Sequence, residues 1–201
     1  MPTSSLKERI NQAFQATTLL RARELTMHGI NRAQLRQAVQ TGQLEQAGRG
    51  LYRFPGADIT QHHTLAETAK RIPNGVICLL SALRFHGLTT QSPHEVWVAV
   101  HHKAWSPRAE NVGLRVVRLS GRTLTEGVES HLVEGVPLRV FSPAKTVADC
   151  FKFRHKIGVD VAIEALRETW RERRATMKDL EHHARIDRVS NVMRPYLESL
   201  T

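Results

Sequence analysis

Cysteine is nearly absent from this sequence: only Cys78 and Cys150 occur, far apart and each within an apolar run. They are too distant to suggest a metal-ligand pair and show no sign of an oxidising compartment, so both read as small buried core residues. No CxxC or HExxH pattern is present. No apolar run approaches the roughly 18 residues of a membrane-spanning helix. The N-terminal MPTSSLKERINQAF is amphipathic and charged, unlike a signal peptide. These absences lead to the expectation of a soluble cytoplasmic protein with no membrane partner. Carboxylates are also scarce, with 19 Asp plus Glu against 29 Lys plus Arg, giving a net charge of +10 and a pI near 10.4. Such a balance favours a polyanionic partner through long-range attraction and counterion release. Hydrophobic residues make up 41% of the 201 positions, enough to build a packed core in one ordinary domain or two small ones.

The most informative stretch is Leu20–Phe54, LRARELTMHGINRAQLRQAVQTGQLEQAGRGLYRF. A short helix over Ala22–Met27 is broken at His28-Gly29, where glycine tolerates a positive φ. A second helix is predicted from about Asn31, a plausible N-cap, to Thr41, with Gly42 ending it. Two short strands, Leu44–Ala47 and Leu51–Phe54, flank Gly48-Arg49-Gly50. At 100° per residue Leu35, Ala38 and Val39 share one face of the second helix. Ala33, Arg36, Gln37 and Gln40 share the other, with Arg32 and Gln34 flanking the first turn. That helix contains no acidic residue. Arginine and glutamine can make bidentate contacts to guanine and adenine edges in the major groove, whereas phosphates repel carboxylates. Two helices, a glycine turn and a hairpin tipped with arginine read as a winged helix-turn-helix that binds DNA.

Elsewhere the pattern is mixed. Ser4 or Ser5 can cap a first helix, with Glu8 completing a capping box from Ser5, and Leu6, Ile10, Ala13 and Phe14 as its apolar stripe. Asp58–Gln61 marks a boundary. A helix over His62–Arg71 stops at Pro73-Asn74-Gly75. Val76–Leu80 is a buried strand or the lead-in to a helix over Ser81–His86. Strands are predicted at Glu95–Val100 and Leu114–Leu119, and a hairpin over Leu132–Phe141 turns at Glu134-Gly135. Ser142 as N-cap and Pro143 at the first position start another helix. Val159, Ile163, Leu166 and Trp170 form an amphipathic stripe, and Thr176 with Asp179 caps a helix through about His183. The tail NVMRPYLESL ends in a short helix or turn.

Three other features invite chemical readings. His62-His63, His101-His102 and His182-His183 are adjacent pairs, and neighbours on a helix point about 100° apart, which does not suit one metal ion. They are expected on polar surfaces or near phosphates. In SPAKTVADC, Ser142, Lys145 and Asp149 could be imagined as nucleophile, activator and orienter. The simpler reading makes Ser142 a cap and Lys145–Asp149 a modest i, i+4 ion pair, while Val147, Ala148 and Phe151 bury the other side. Lys152, Arg154, His155 and Lys156 form a basic cluster that reads as helix capping, as extra phosphate contacts, or as an RNA- or toxin-facing surface.

The pattern GINRAQLRQAVQTGQLEQAGRGLYRFP resembles the winged helix of the AbiEi antitoxins of type IV toxin–antitoxin systems in bacteria. LLSALRFHGLT, HEVWVAV, LRVVRLS, EGVPLRVFSPAKTVADCFKFRHKIGVDVAIEAL and RPYLESL resemble that family's C-terminal domain in the same order, so the similarity runs from about Thr17 to Leu200. The resemblance implies an α+β protein: a winged helix-turn-helix over residues 1–57, then a mixed α/β antitoxin domain over residues 58–201 with a small sheet and a helical final third. It implies an autorepressor that binds inverted repeats in its own promoter and counters a nucleotidyltransferase-like toxin, often without a stable complex. Its DNA-reading positions would be Asn31, Arg32, Gln34, Arg36 and Gln37, with Arg49 and Arg53 on the wing. No catalysis, metal or cofactor is implied. The alternative is a stand-alone winged-helix transcription factor whose C-terminal domain binds a ligand or partner protein. A nuclease would need a paired-carboxylate or metal-ligand cluster that the sequence does not display.

Overall fold

A computed structural model describes residues 5–57, 59–105 and 113–200. The Ser4 alternative for the first cap and Asp58 at the expected boundary lie outside them. The chain is a mixed α/β protein with two small sheets and a helical C-terminal third. It divides into two compact units. Among the described residues, the first holds 5–57, 59–73 and 132–138, and the second holds 74–105, 113–131 and 139–200.

In the first unit, α1 (Leu6–Ala13) starts at a full capping box, in which Ser5 and Glu8 satisfy each other's backbone amides. Strand β1 (Leu19–Arg21) follows, then α2 (Ala22–Met27), α3 (Arg32–Gln40), β2 (Glu45–Gly48) and β3 (Leu51–Arg53). The sheet runs β1-β3-β2 and is antiparallel, with Leu20 opposite Tyr52 and Gln46 opposite Tyr52 on the other side. β1 was not expected. Three residues are too few to show a period, and only β3, some thirty positions on, makes them a strand. Ile10, Leu25, Ile30, Leu35, Ala38 and Leu44 fill the core, all at most 3% exposed. Helix α4 (His63–Arg71) completes the unit, and its Lys70 reaches Glu24 of α2 at 2.8 Å. Burial works against the charge of Glu24, yet the Lys70 ammonium and the Arg21 amide hold its carboxyl below the usual range.

Glu134 and Gly135 belong to this unit as well. The Glu134 carboxylate accepts from His63 Nδ1 at 2.7 Å and from the Thr60 amide at 2.8 Å. Burial opposes its charge too, but these donors keep its carboxyl below the ordinary value. His63 is therefore held by a carboxylate and is not a solvated surface residue.

The larger sheet has five strands in the order β6-β5-β4-β8-β7. Its strands are β4 (Val76–Ile77), β5 (Val96–His101), β6 (Leu114–Leu119), β7 (Val128–Val133) and β8 (Val136–Phe141). β5 and β6 are parallel in register Val96 to Leu114 through His101 to Leu119, and β4 pairs antiparallel with β5 and parallel with β8. Val76–Leu80 serves as both strand and helix lead-in, because α5 (Leu79–His86) begins two residues earlier than the expected Ser81. The hairpin starts at Val128, four residues ahead of the sequence reading.

Helices α6 (Arg122–Thr125), α7 (Pro143–Lys152), α8 (Arg154–Ile157), α9 (Val159–Arg171), α10 (Met177–Ile186) and α11 (Ser190–Glu198) follow the chain order. Ser142 and Thr176 cap α7 and α10 as their sequences indicate. α10 runs three residues beyond His183, which is buried. Leu83, Phe141, Val147, Phe151, Leu166 and Met193 are among the core, with Cys78 and Cys150 fully enclosed and their thiols pushed up by burial. Among the described residues no helix is long and apolar enough to cross a membrane.

Candidate nucleic-acid interface

Helix α3 is aimed by its two ends. At the start, Asn31 Oδ1 accepts from the Gln34 amide at 2.9 Å, and Gln34 Oε1 accepts from the Asn31 amide at 3.1 Å. This reciprocal box fixes the first turn without a carboxylate, so the helix N-terminus keeps its positive end uncompensated. The α2–α3 turn rests on Gly29, at φ +73°, whose carbonyl accepts from Arg9 Nη1 of α1 at 2.5 Å. At the other end Gly42 takes φ +69°, and the Gln43 amide returns to the Ala38 carbonyl at 2.8 Å. Leu35 and Ala38 point into the core, which turns Arg32, Ala33, Arg36, Gln37 and Gln40 outward.

Arg32 and Arg36 stand one turn apart on the exposed face, and neither guanidinium makes a hydrogen bond or ion pair among the described residues. They border a hollow of about 310 Å³ with Gln40, closed on the far side by Gln46 and Tyr52 of the hairpin. The hairpin is short. A bulge after Gln46 leaves Gly48 opposite Leu51, with exposed Arg49 and half-buried Gly50 at the tip, and Gly50 has φ +68°.

The seven predicted positions thus divide into groups. Arg32, Arg36 and Gln37 are exposed side chains on one helix face. Asn31 and Gln34 sit at its start with their oxygens committed to the cap, leaving their amide NH2 groups to donate outward. Arg49 is at the hairpin tip. Arg53 lies within β3, where its Nε donates to Glu45 Oε2 at 2.6 Å across the strand pair. That pairing was missed in the sequence, although the hairpin register alone places Glu45 opposite Arg53. Gln46 and Tyr52 were also overlooked, because the hollow they close forms only when the hairpin folds against α3.

The SPAKTVADC segment differs more from its expected character. Lys145 and Asp149 form the i, i+4 pair, at 2.5 Å, but both are enclosed, with side chains 0% and 1% exposed. Lys145 also meets Asp187 at 3.0 Å, and its Nζ sits 4.6 Å from the Phe141 ring centre. The expected ion pair is present, but as part of a buried network that also takes in Asp187. Burial pushes the Asp149 carboxyl up to about 7 against the attraction of Lys145, with Asp187 adding to the rise. Ser142 Oγ is used as the helix cap, 3.4 Å from the Lys145 amide. Among the described residues no group of three or more His, Cys, Asp or Glu side chains is placed to hold a metal ion.

Comparison with known proteins bears on this region. Residues 8–55 match the family model described as a transcriptional regulator, AbiEi antitoxin. No curated protein sequence matches the chain. Among solved structures, the crystal structure of the RV2827C protein from Mycobacterium tuberculosis matches with a TM-score of 0.54 at 12% identity. The alignment covers 98% of this chain and 80% of that one, and at this identity it shows a shared fold.

Proposed function

We propose that the chain is a DNA-binding transcriptional autorepressor and antitoxin of a type IV system. In this reading residues 1–57 form a winged helix-turn-helix, with α2–turn–α3 as the helix-turn-helix and β2–β3 as the wing. α3 enters the major groove of inverted repeats in its own promoter, Arg32 and Arg36 reach base edges, and Arg49 touches phosphate or the minor groove. Residues 58–201 counter a nucleotidyltransferase-like toxin, with no catalysis of their own. The protein works in the cytoplasm. The observation that carries the reading is the outward face of α3: two guanidiniums without partners among the described residues, flanked by glutamines and no carboxylate, beside an arginine-tipped hairpin. The match of residues 8–55 to an antitoxin regulator family supports it.

The test is binding of the purified protein to its own upstream DNA and to a scrambled duplex across a salt series. The reading expects a strong preference for the native sequence. Equal, steeply salt-dependent affinity for both duplexes would mean that the charge attracts nucleic acid without reading it. An adjacent nucleotidyltransferase-like reading frame separates the antitoxin from a stand-alone transcription factor.

A further inference from the structure

Several described helices, among them α2, α3, α5, α9 and α10, end with a residue in the left-handed region, and they do not fill that place alike. In α2, α3 and α5 it is Gly29, Gly42 and Gly87, the residue that adopts this backbone without a Cβ clash. In α10 it is Arg188, at φ +59°. The cap hydrogen bonds are the standard ones, from the Arg188 amide to the Arg185 carbonyl and from the Val189 amide to the Ala184 carbonyl at 2.9 Å. Arg173 repeats the substitution at the end of α9. An arginine here strains the backbone where glycine would not, which is the kind of outlier that marks a functional side chain.

The Arg188 side chain is exposed, and its guanidinium makes no hydrogen bond or ion pair among the described residues. It lines a cavity of about 580 Å³ within the second unit, together with Ser120, Arg122, Thr123, Lys152 and Arg185. Three of these cations have carboxylate neighbours: Arg122 binds Glu126, Arg185 lies 3.9 Å from Glu181, and Lys152 lies 3.4 Å from Asp187. Asp187 is the only carboxylate among the lining residues, and it is buried and already shared with Lys145. The cavity therefore presents an excess of positive charge and two hydroxyls. Its size is that of a small-molecule pocket and far exceeds a single inorganic phosphate.

We propose that this cavity binds a phosphorylated small molecule of nucleotide size, with Arg188, Arg185 and Lys152 taking the phosphates. Guanidinium forks suit phosphate oxygens, and Ser120 and Thr123 supply neutral donors at the same wall. Asp187, enclosed and committed to Lys145 and Lys152, holds Lys152 in the cavity wall and does not itself meet the ligand. The site lies entirely in the second unit, so it stands or falls independently of DNA reading by α3.

The experiment is calorimetric titration of the full chain with ATP, AMP and tripolyphosphate, alongside the Arg188→Gly and Lys152→Met variants. Glycine is the residue that α2 and α3 already use at this cap, so Arg188→Gly should keep or raise the melting temperature. The expected result is saturable ATP binding, tighter than tripolyphosphate, weakened roughly tenfold or more in both variants. No binding of ATP or AMP at millimolar concentration would overturn the proposal. So would binding unchanged in both variants, and tripolyphosphate binding as tightly as ATP would overturn the assignment to a nucleotide.

Discussion

Helices α3 and α7 each carry ionisable side chains one turn apart, and their surroundings give those side chains opposite work. On α3, Arg32 and Arg36 face outward with no partner among the described residues. On α7, Lys145 and Asp149 are enclosed and locked to Asp187. Charge at i, i+4 is legible in both sequences, but burial is not. The environment decides whether such a pair is available to a ligand or tied into the fold. Leu35 and Ala38 turn the arginines of α3 out, whereas α7 packs against α5, α9 and α10 and has almost no outer face.

The contrast can be broken most severely at Lys145. Lys145→Met leaves buried Asp149 without its cation and Asp187 with Lys152 alone, and should destabilise the fold by about 3–5 kcal/mol, measured as a fall in the urea midpoint. A loss close to zero would place this network at a solvated surface. A subtler probe is pH. Unfolded, Asp149 releases its proton near 3.8, and folded near 7, so between those values the folded state holds the extra proton. The contribution of Asp149 is full below the lower value and is lost as pH rises through the upper one. Asp149→Asn should therefore gain stability relative to the wild type as pH rises from about 4 to about 8. The opposite trend would mean that Lys145 outweighs burial.

On the other side of the comparison, Arg36→Ala should leave the melting temperature unchanged and weaken operator binding by about 1–3 kcal/mol, with relaxed preference at one base position. A matching loss of stability would move Arg36 into the structural class of Lys145. The smallest effect belongs to the cap. Asn31→Ala should cost about 1 kcal/mol of stability by removing the acceptor for the Gln34 amide, and thermal unfolding would show it.

Local rules carried much of the fold into view. The Ser5–Glu8 box, Asn31, Ser142-Pro143 and Thr176–Asp179 each announce a helix start within four residues, and each is found there. Leu114–Leu119 is a strand with the predicted bounds. What escaped depends on distant partners. β1 exists because β3 pairs with it. Asp187 joins Lys145 across 42 positions, so nothing near SPAKTVADC signals that its ion pair is buried. Within the candidate interface, the helix face was legible from its period, whereas the Arg53–Glu45 pair and the hollow closed by Gln46 and Tyr52 needed the hairpin register. Val159 fits the apolar stripe of α9 yet is 43% exposed, because it opens the helix before the stripe reaches the core.

The most direct test of the account is the ratio of affinities for native upstream DNA and a scrambled duplex, measured at one salt concentration for the wild type and for Arg32→Ala/Arg36→Ala. The account predicts a large ratio in the wild type that collapses toward one in the double mutant, while the melting temperature holds. A ratio that survives the double substitution would contradict it, since the outward face of α3 would then not be where sequence is read.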